Sequence, residues 1–151
     1  MYENKNSVVD ILLVGNNPME MSEIYDKLKS YKRGFLQMQI SFELKGLLKK
    51  IIKLNPKSIV IDNKYKREEL QKVVASLMTH AKTRHIPITL IKHSNYEDVY
   101  LGVDDYVLSS ALSAPNLVAS VKNSTKFRAT SNYLKTVYSD KKSSLLSWMQ
   151  A

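Results

Sequence analysis

The chain has 151 residues, 44% of them hydrophobic and 25% charged, with a formal net charge of +9. That length is one domain with room for a short appendage, and that balance is the composition of a packed core, so wholesale disorder and fibrous repeats are excluded. The lack of cysteine removes disulfide scaffolds, thiolate nucleophiles and Cys-ligated zinc, and no apolar run approaches the roughly 20 residues of a membrane span.

Residues 1–7 (MYENKNS) lack the basic-then-apolar order of a signal peptide, so they read as an N-terminal extension and the expected location is the cytoplasm. Val8 to Val14 is β-branched and nearly continuous, as a strand buried on both faces should be. Gly15-Asn16-Asn17 is a turn signal, and Pro18 suits the first turn of a helix. Met21, Ile24, Tyr25, Leu28 and Tyr31 then recur at helical spacing up to the basic stop Lys32-Arg33-Gly34. A second strand is expected over Phe35 to Ile40. Ser41 can cap the next helix, whose stripe is Leu44, Leu47, Leu48, Ile51 and Ile52, with Lys45, Lys49, Lys50 and Lys53 opposite and Leu54-Asn55-Pro56 as its end.

Ser58 to Ile61 reads as a short central strand that delivers Asp62 at its C-terminal end. A third helix follows, with Leu70, Val73, Val74, Leu77 and Met78 on one face and a basic end at His80 to Arg84. Ile86 to Ile91 is the fourth strand, with Pro87 at its start, where a missing N–H is tolerated. Lys92 to Gly102 leaves room for about one helical turn around Tyr96 to Leu101 before the fifth strand, Val103 to Leu108. Ser113 and Pro115 open a last helix with Leu117, Val118 and Val121 as its apolar stripe. Phe127, Tyr133, Leu134, Val137 and Tyr138 prolong it past what a compact domain requires. Asp140 to Ser144 predicts a polar break, and Leu145, Leu146, Trp148 and Met149 an apolar tail that packs back on the domain or docks a partner.

Five β-α units predict an α/β fold, a doubly wound five-stranded parallel sheet of order 2-1-3-4-5 over residues 8–126, with an extended C-terminal helix and tail over 127–151. In that order the crevice lies beyond the C-terminal ends of the first and third strands, which carry Gly15, Asn16 and Asp62. The apolar residues beyond 126 exceed the few hundred Å² that soluble monomers leave exposed, so a homodimer or a heteromeric complex through the final helix is expected.

Four fragments in this order resemble the response-regulator receiver (CheY-like) family: Ile11-Leu12-Leu13-Val14, Pro56-Lys57-Ser58-Ile59-Val60-Ile61-Asp62, His85-Ile86-Pro87-Ile88 and Gly102-Val103-Asp104-Asp105-Tyr106. The last is close to the family's Gly-Ala-Asp-Asp-Tyr pattern, and the interval from Asp62 to Ile86 is also the family's. The resemblance covers about Val8 to Lys126 and implies a flavodoxin-like receiver with a shortened fourth helix. It implies two-component phosphorelay signalling, with a histidine kinase or a downstream effector as partner.

In that family an aspartate ending the third strand accepts a phosphoryl group, two acidic residues after the first strand help hold Mg²⁺, and a hydroxyl and a lysine bind the phosphoryl oxygens. The acceptor position is Asp62. The acidic pair falls on Gly15 and Asn16, the hydroxyl position on Lys92 and the lysine position on Ser109, while Tyr106 keeps the switch-aromatic position. Only Asn16 and Asp62 remain as oxygen ligands, so no cofactor is expected and Mg²⁺ at most weakly, because magnesium is usually held by carboxylates. The expectation is a pseudo-receiver without enzymatic turnover that acts by protein-protein interaction. Three alternatives stay open at Asp62: a working phosphoacceptor in which Lys92 and Ser109 have exchanged roles, a permanent Lys92–Asp62 ion pair, and a strand-end residue capping the following loop.

Other chemistries find little support. His80, His85 and His93 have no carboxylate or second histidine at metal-ligand spacing on a helix face, though His93 lies at the crevice rim beside Lys92. No Gly-rich phosphate loop and no G-x-S-x-G elbow occurs. Asp104-Asp105 reads as a turn into the fifth strand. The basic charge keeps a nucleic-acid-binding module as an alternative, with Lys45, Lys49 and Lys53 as the row that could track phosphates, yet lysines are spread through every segment and no reader motif is present.

Overall fold

The computed structural model describes residues 9–31, 37–94 and 99–149. Within them β1 (Ile11–Val14), β2 (Met38–Ser41), β3 (Ser58–Asp62), β4 (Ile88–Lys92) and β5 (Asp105–Leu108) form one sheet in the order β2-β1-β3-β4-β5. Each neighbouring pair is parallel, with Leu12 opposite Gln39 and Ile59, Val60 opposite Thr89, and Leu90 opposite Tyr106. Parallel strands need crossovers. The helices α1 (Pro18–Ser30), α2 (Leu47–Leu54) and α3 (Arg67–Thr79) supply them between the first four strands, and α4 (Ala114–Met149) follows β5. The expected class, strand order and long final helix are all present.

Side-chain alternation divides the core between two layers. Leu12, Val14, Ile59, Ile61, Ile88 and Leu90 point toward α2 and α3, where they meet Leu47, Ile51, Leu70, Val74 and Leu77. Ile11, Leu13, Val60 and Ile91 point the other way, onto Met21, Ile24 and Leu28 of α1 and Leu117, Val118 and Val121 of α4. Each fully buried Leu or Ile contributes roughly 1.5–3 kcal/mol, so both layers are needed to hold one sheet.

Helix starts follow local chemistry. Asn17 caps α1 with its side-chain oxygen on the N–H groups of Met19 (3.0 Å) and Glu20 (3.2 Å), and Pro18 takes the first helical position. The Ser113 hydroxyl accepts from the Asn116 N–H at 3.2 Å ahead of α4. Ser41, expected to cap α2, does not: it ends β2 opposite Val14, and its carbonyl accepts the Gly15 N–H at 3.0 Å. The ladder uses it, and α2 starts later, behind Gly46 in the left-handed region (φ 72°). Residues 1–8, the helix stop expected at Lys32-Arg33-Gly34, the start of the expected second strand and Tyr96 to Asp98 lie outside the described residues. Among those described, no helix separates β4 from β5, and Leu101-Gly102 form a turn.

A second correction concerns residues 140–144. The expected polar break is helical, and α4 runs 36 residues without interruption. Asp140-Lys141-Lys142-Ser143-Ser144 contains neither glycine nor proline, and polarity alone does not end a helix. Arg128 is the last buried residue on α4. Leu145, Leu146, Trp148 and Met149 are exposed, so the tail does not fold back on the domain. Among the described residues no helix is long and apolar enough to cross a membrane.

Candidate functional site

Asp62 ends β3 at the C-terminal edge of the sheet and is only 3% exposed. A carboxylate this deep requires donors. The Lys64 N–H donates to Oδ1 at 2.9 Å, so Asp62 does cap the loop after its strand. The second donor is His93, whose Nε2 lies 3.0 Å from Oδ1 and 3.1 Å from Oδ2.

Strand phase explains why His93 and not Lys92 reaches Asp62. Ile91 pairs with Asp62 and faces the α1–α4 layer. Lys92 is one residue out of phase, and its Nζ sits 4.9 Å from the centre of the Tyr106 ring on the opposite side, a cation-π arrangement. His93 returns to the phase of Ile91 and arrives over the carboxylate. The contact with Asp62 expected as one option for Lys92 is therefore made by its neighbour, as a hydrogen bond.

Around this pair stand residues from three further segments. Glu20, in the first turn of α1, holds the Lys64 ammonium at 2.7 Å, and this hydrogen bond chiefly raises the lysine's pKa. The Asn16 amide donates to the Lys64 carbonyl. Ser109 opens the single 3₁₀ turn after β5 and lines, with Lys27 and Glu23, a cavity of about 200 Å³ that ends on Asp62 and His93. Gly15 is buried beneath the Met21 thioether, which occupies the space a side chain at position 15 would take.

This arrangement does not fit a receiver-type magnesium ion. An apolar thioether covers position 15, Asn16 is turned to a backbone carbonyl, and Asp62 is left as the one carboxylate among the expected ligands. Tyr106 is also committed: its hydroxyl accepts the Tyr100 N–H at 2.9 Å and lies 3.1 Å from the Tyr100 carbonyl, to which it donates. Burial raises the pKa of this phenol. Tyr65, whose hydroxyl donates to the Phe42 carbonyl at 2.8 Å, is pushed up to about 12, first by burial and then by the charges of Asp62 and Glu43.

Of the residues singled out from the sequence, Asp62, Ser109 and His93 line the cavity, whereas Gly15 lies under Met21, Asn16 is turned to the Lys64 carbonyl, and Lys92 rests on Tyr106 on the other face of the sheet. Sequence reasoning missed Glu20 and the His93–Asp62 contact. The phase of His93 two residues after Ile91 was the available signal for the contact, and nothing in the sequence marked Glu20. Asp104 and Asp105 are structural, as expected: Asp104 pairs with the buried Arg128 at 2.9 Å, and Asp105 accepts from Ser120 at 2.6 Å.

No protein-family model matches the chain, and no curated protein matches it by sequence. Solved structures share its fold. A response regulator from Desulfuromonas acetoxidans matches at TM-score 0.64 and 19% identity, over 78% of this chain and 97% of that one. A sensor protein from Polaromonas sp. JS666 matches at TM-score 0.67 and 13% identity, over 81% and 99%. A chemotaxis response regulator of Vibrio cholerae matches at TM-score 0.63 and 12% identity, over 77% and 98%. At such identities the likeness defines the fold: this chain has the architecture of receiver domains, with a longer final helix.

Proposed function

We propose that the chain is a receiver-like signalling module of the two-component type whose phosphorylation chemistry is degenerate and which acts, without turnover, by binding protein partners. The observation that carries this reading is the His93 imidazole on both oxygens of Asp62, the place an incoming phosphoryl group would need. An anionic acceptor attacked by an anionic donor needs cations to offset the developing charge. Here the acidic pair is Gly15 and Asn16, and the Lys92 ammonium lies on Tyr106.

The partner surface in this reading is the exposed part of α4, where Phe127, Leu134, Tyr138, Leu145 and Met149 recur at steps of seven and four residues and stay in solvent. That spacing forms one apolar seam of the kind by which helices pair. A histidine kinase or downstream effector is the class of partner that the receiver fold suggests.

Incubating the full chain with a small phosphodonor and Mg²⁺ and recording the intact mass tests the chemistry. The expected result is an unchanged mass. Stoichiometric phosphorylation that Asp62→Asn abolishes would replace this reading with a working phosphoacceptor, in which Ser109 and Lys27, both on the Asp62 cavity, would contact the phosphoryl group.

A further inference from the structure

We infer that Glu20, Asp62 and His93 form a binding site for a transition-metal dication of the zinc(II) class. The donors come from three places, the first turn of α1, the end of β3 and the residue after β4, and their ligand atoms lie within 4.8 Å of one another. One imidazole nitrogen with two carboxylate oxygens is a donor set that suits zinc and its neighbours, whereas magnesium prefers an all-oxygen shell.

The imidazole donor selects the ion, and the distances admit it. Two donors on one tetrahedral zinc at about 2.0–2.2 Å stand roughly 3.3–3.6 Å apart. His93 Nε2 already lies 3.0 and 3.1 Å from the two Asp62 oxygens, so that pair opens by a few tenths of an ångström to admit an ion. Glu20 gives Oε1 to Lys64 at 2.7 Å and brings a carboxylate oxygen within 4.8 Å of the other two ligand atoms, a gap that a side-chain rotation closes.

The surroundings support the ligands as metal sites require. The Lys64 N–H fixes Asp62 Oδ1, and the same lysine's ammonium fixes Glu20, so one residue orients two ligands from outside. The cavity of about 200 Å³ beside them leaves space for water in the remaining position. Two carboxylates and an imidazole match a dication in formal charge. Glu23 adds to that field, while Lys27 and Lys64 oppose it.

The inference stands apart from the signalling reading, because its test involves no phosphodonor. Tag-free full chain, stripped with a chelator, is titrated with Zn²⁺ by calorimetry and with Co²⁺ by visible absorption. The expected result is one ion per chain, cobalt bands of four-coordinate intensity, displacement by Zn²⁺ and none by Mg²⁺. Glu20→Gln and His93→Gln, both at partly exposed positions and the latter retaining an N–H donor for Asp62, should each weaken binding about tenfold or more. His85→Ala, distant from the site, should leave it unchanged. No stoichiometric binding, binding indifferent to both ligand variants, or binding lost with His85→Ala would each overturn the site.

Discussion

Away from the candidate site, the Arg128 side chain makes four hydrogen bonds. Its guanidinium, 8% exposed, donates to both oxygens of Asp104 (3.0 and 2.9 Å), to the Arg84 carbonyl (2.7 Å) and to the Gly102 carbonyl (2.8 Å). Asp104 in turn accepts the Ile88 N–H at 2.7 Å, so one buried network ties α4 to the starts of β4 and β5. Removing one member strands the other charge in the interior. Arg128→Ala is expected to destabilise the fold by about 3–5 kcal/mol in urea unfolding, and a loss under about 1 kcal/mol would show that solvent reaches Asp104 readily. Tyr65 gives a second prediction at this scale. Its folded pKa, raised from 10.0 to about 12, exceeds the unfolded value, so its contribution is complete below pH 10.0 and is lost as pH rises toward 12. Tyr65→Phe should flatten the fall in stability over that window, and ultraviolet titration should lose one late-ionising phenol. An unchanged titration would place the late phenol elsewhere.

Among the elements, α4 departs furthest from what a small α/β domain needs. Its first turns bury Leu117, Val118 and Val121, and past Arg128 the side chains are mostly in solvent. A chain ending at Ser139 is therefore expected to unfold at the same temperature as the full chain at concentrations where both are monomeric, because residues 140–149 bury nothing within the monomer. The same truncation is expected to abolish association seen by light scattering. Monomeric mass for both chains would remove self-association and leave a heterologous partner for the seam. Element identity was legible because its causes are local: continuous β-branched runs for buried strands, apolar steps of three and four for helices. Boundaries were less so. Ser41 has the chemistry of a cap, and only pairing with Val14 commits it to β2; the polar run at 140–144 has the composition of a loop but nothing that breaks a helix.

For the molecule as a whole, Asp62 was readable as a strand-end carboxylate, since the run before it fixes where its strand stops. The convergence of Glu20 and His93 upon it was not, because it depends on the register of β3 with β4 and on how α1 lies across the sheet, which no local pattern encodes. The formal charge of +9 was equally open to a polyanion reading, and it is spread over lysines on several elements, with those of α2 pointing to solvent at positions 49 and 53. The uninterrupted course of α4 has a mechanical meaning. Residues 129–149 extend beyond the last buried contact by roughly 30 Å at 1.5 Å per residue. A rod anchored at one end converts rotation into travel: a tilt of about 10° at Arg128 carries the Trp148 end through roughly 5 Å, given that helical rise. Any small adjustment where α4 meets β4 and β5 would thus arrive at the far tip as a displacement of side-chain size.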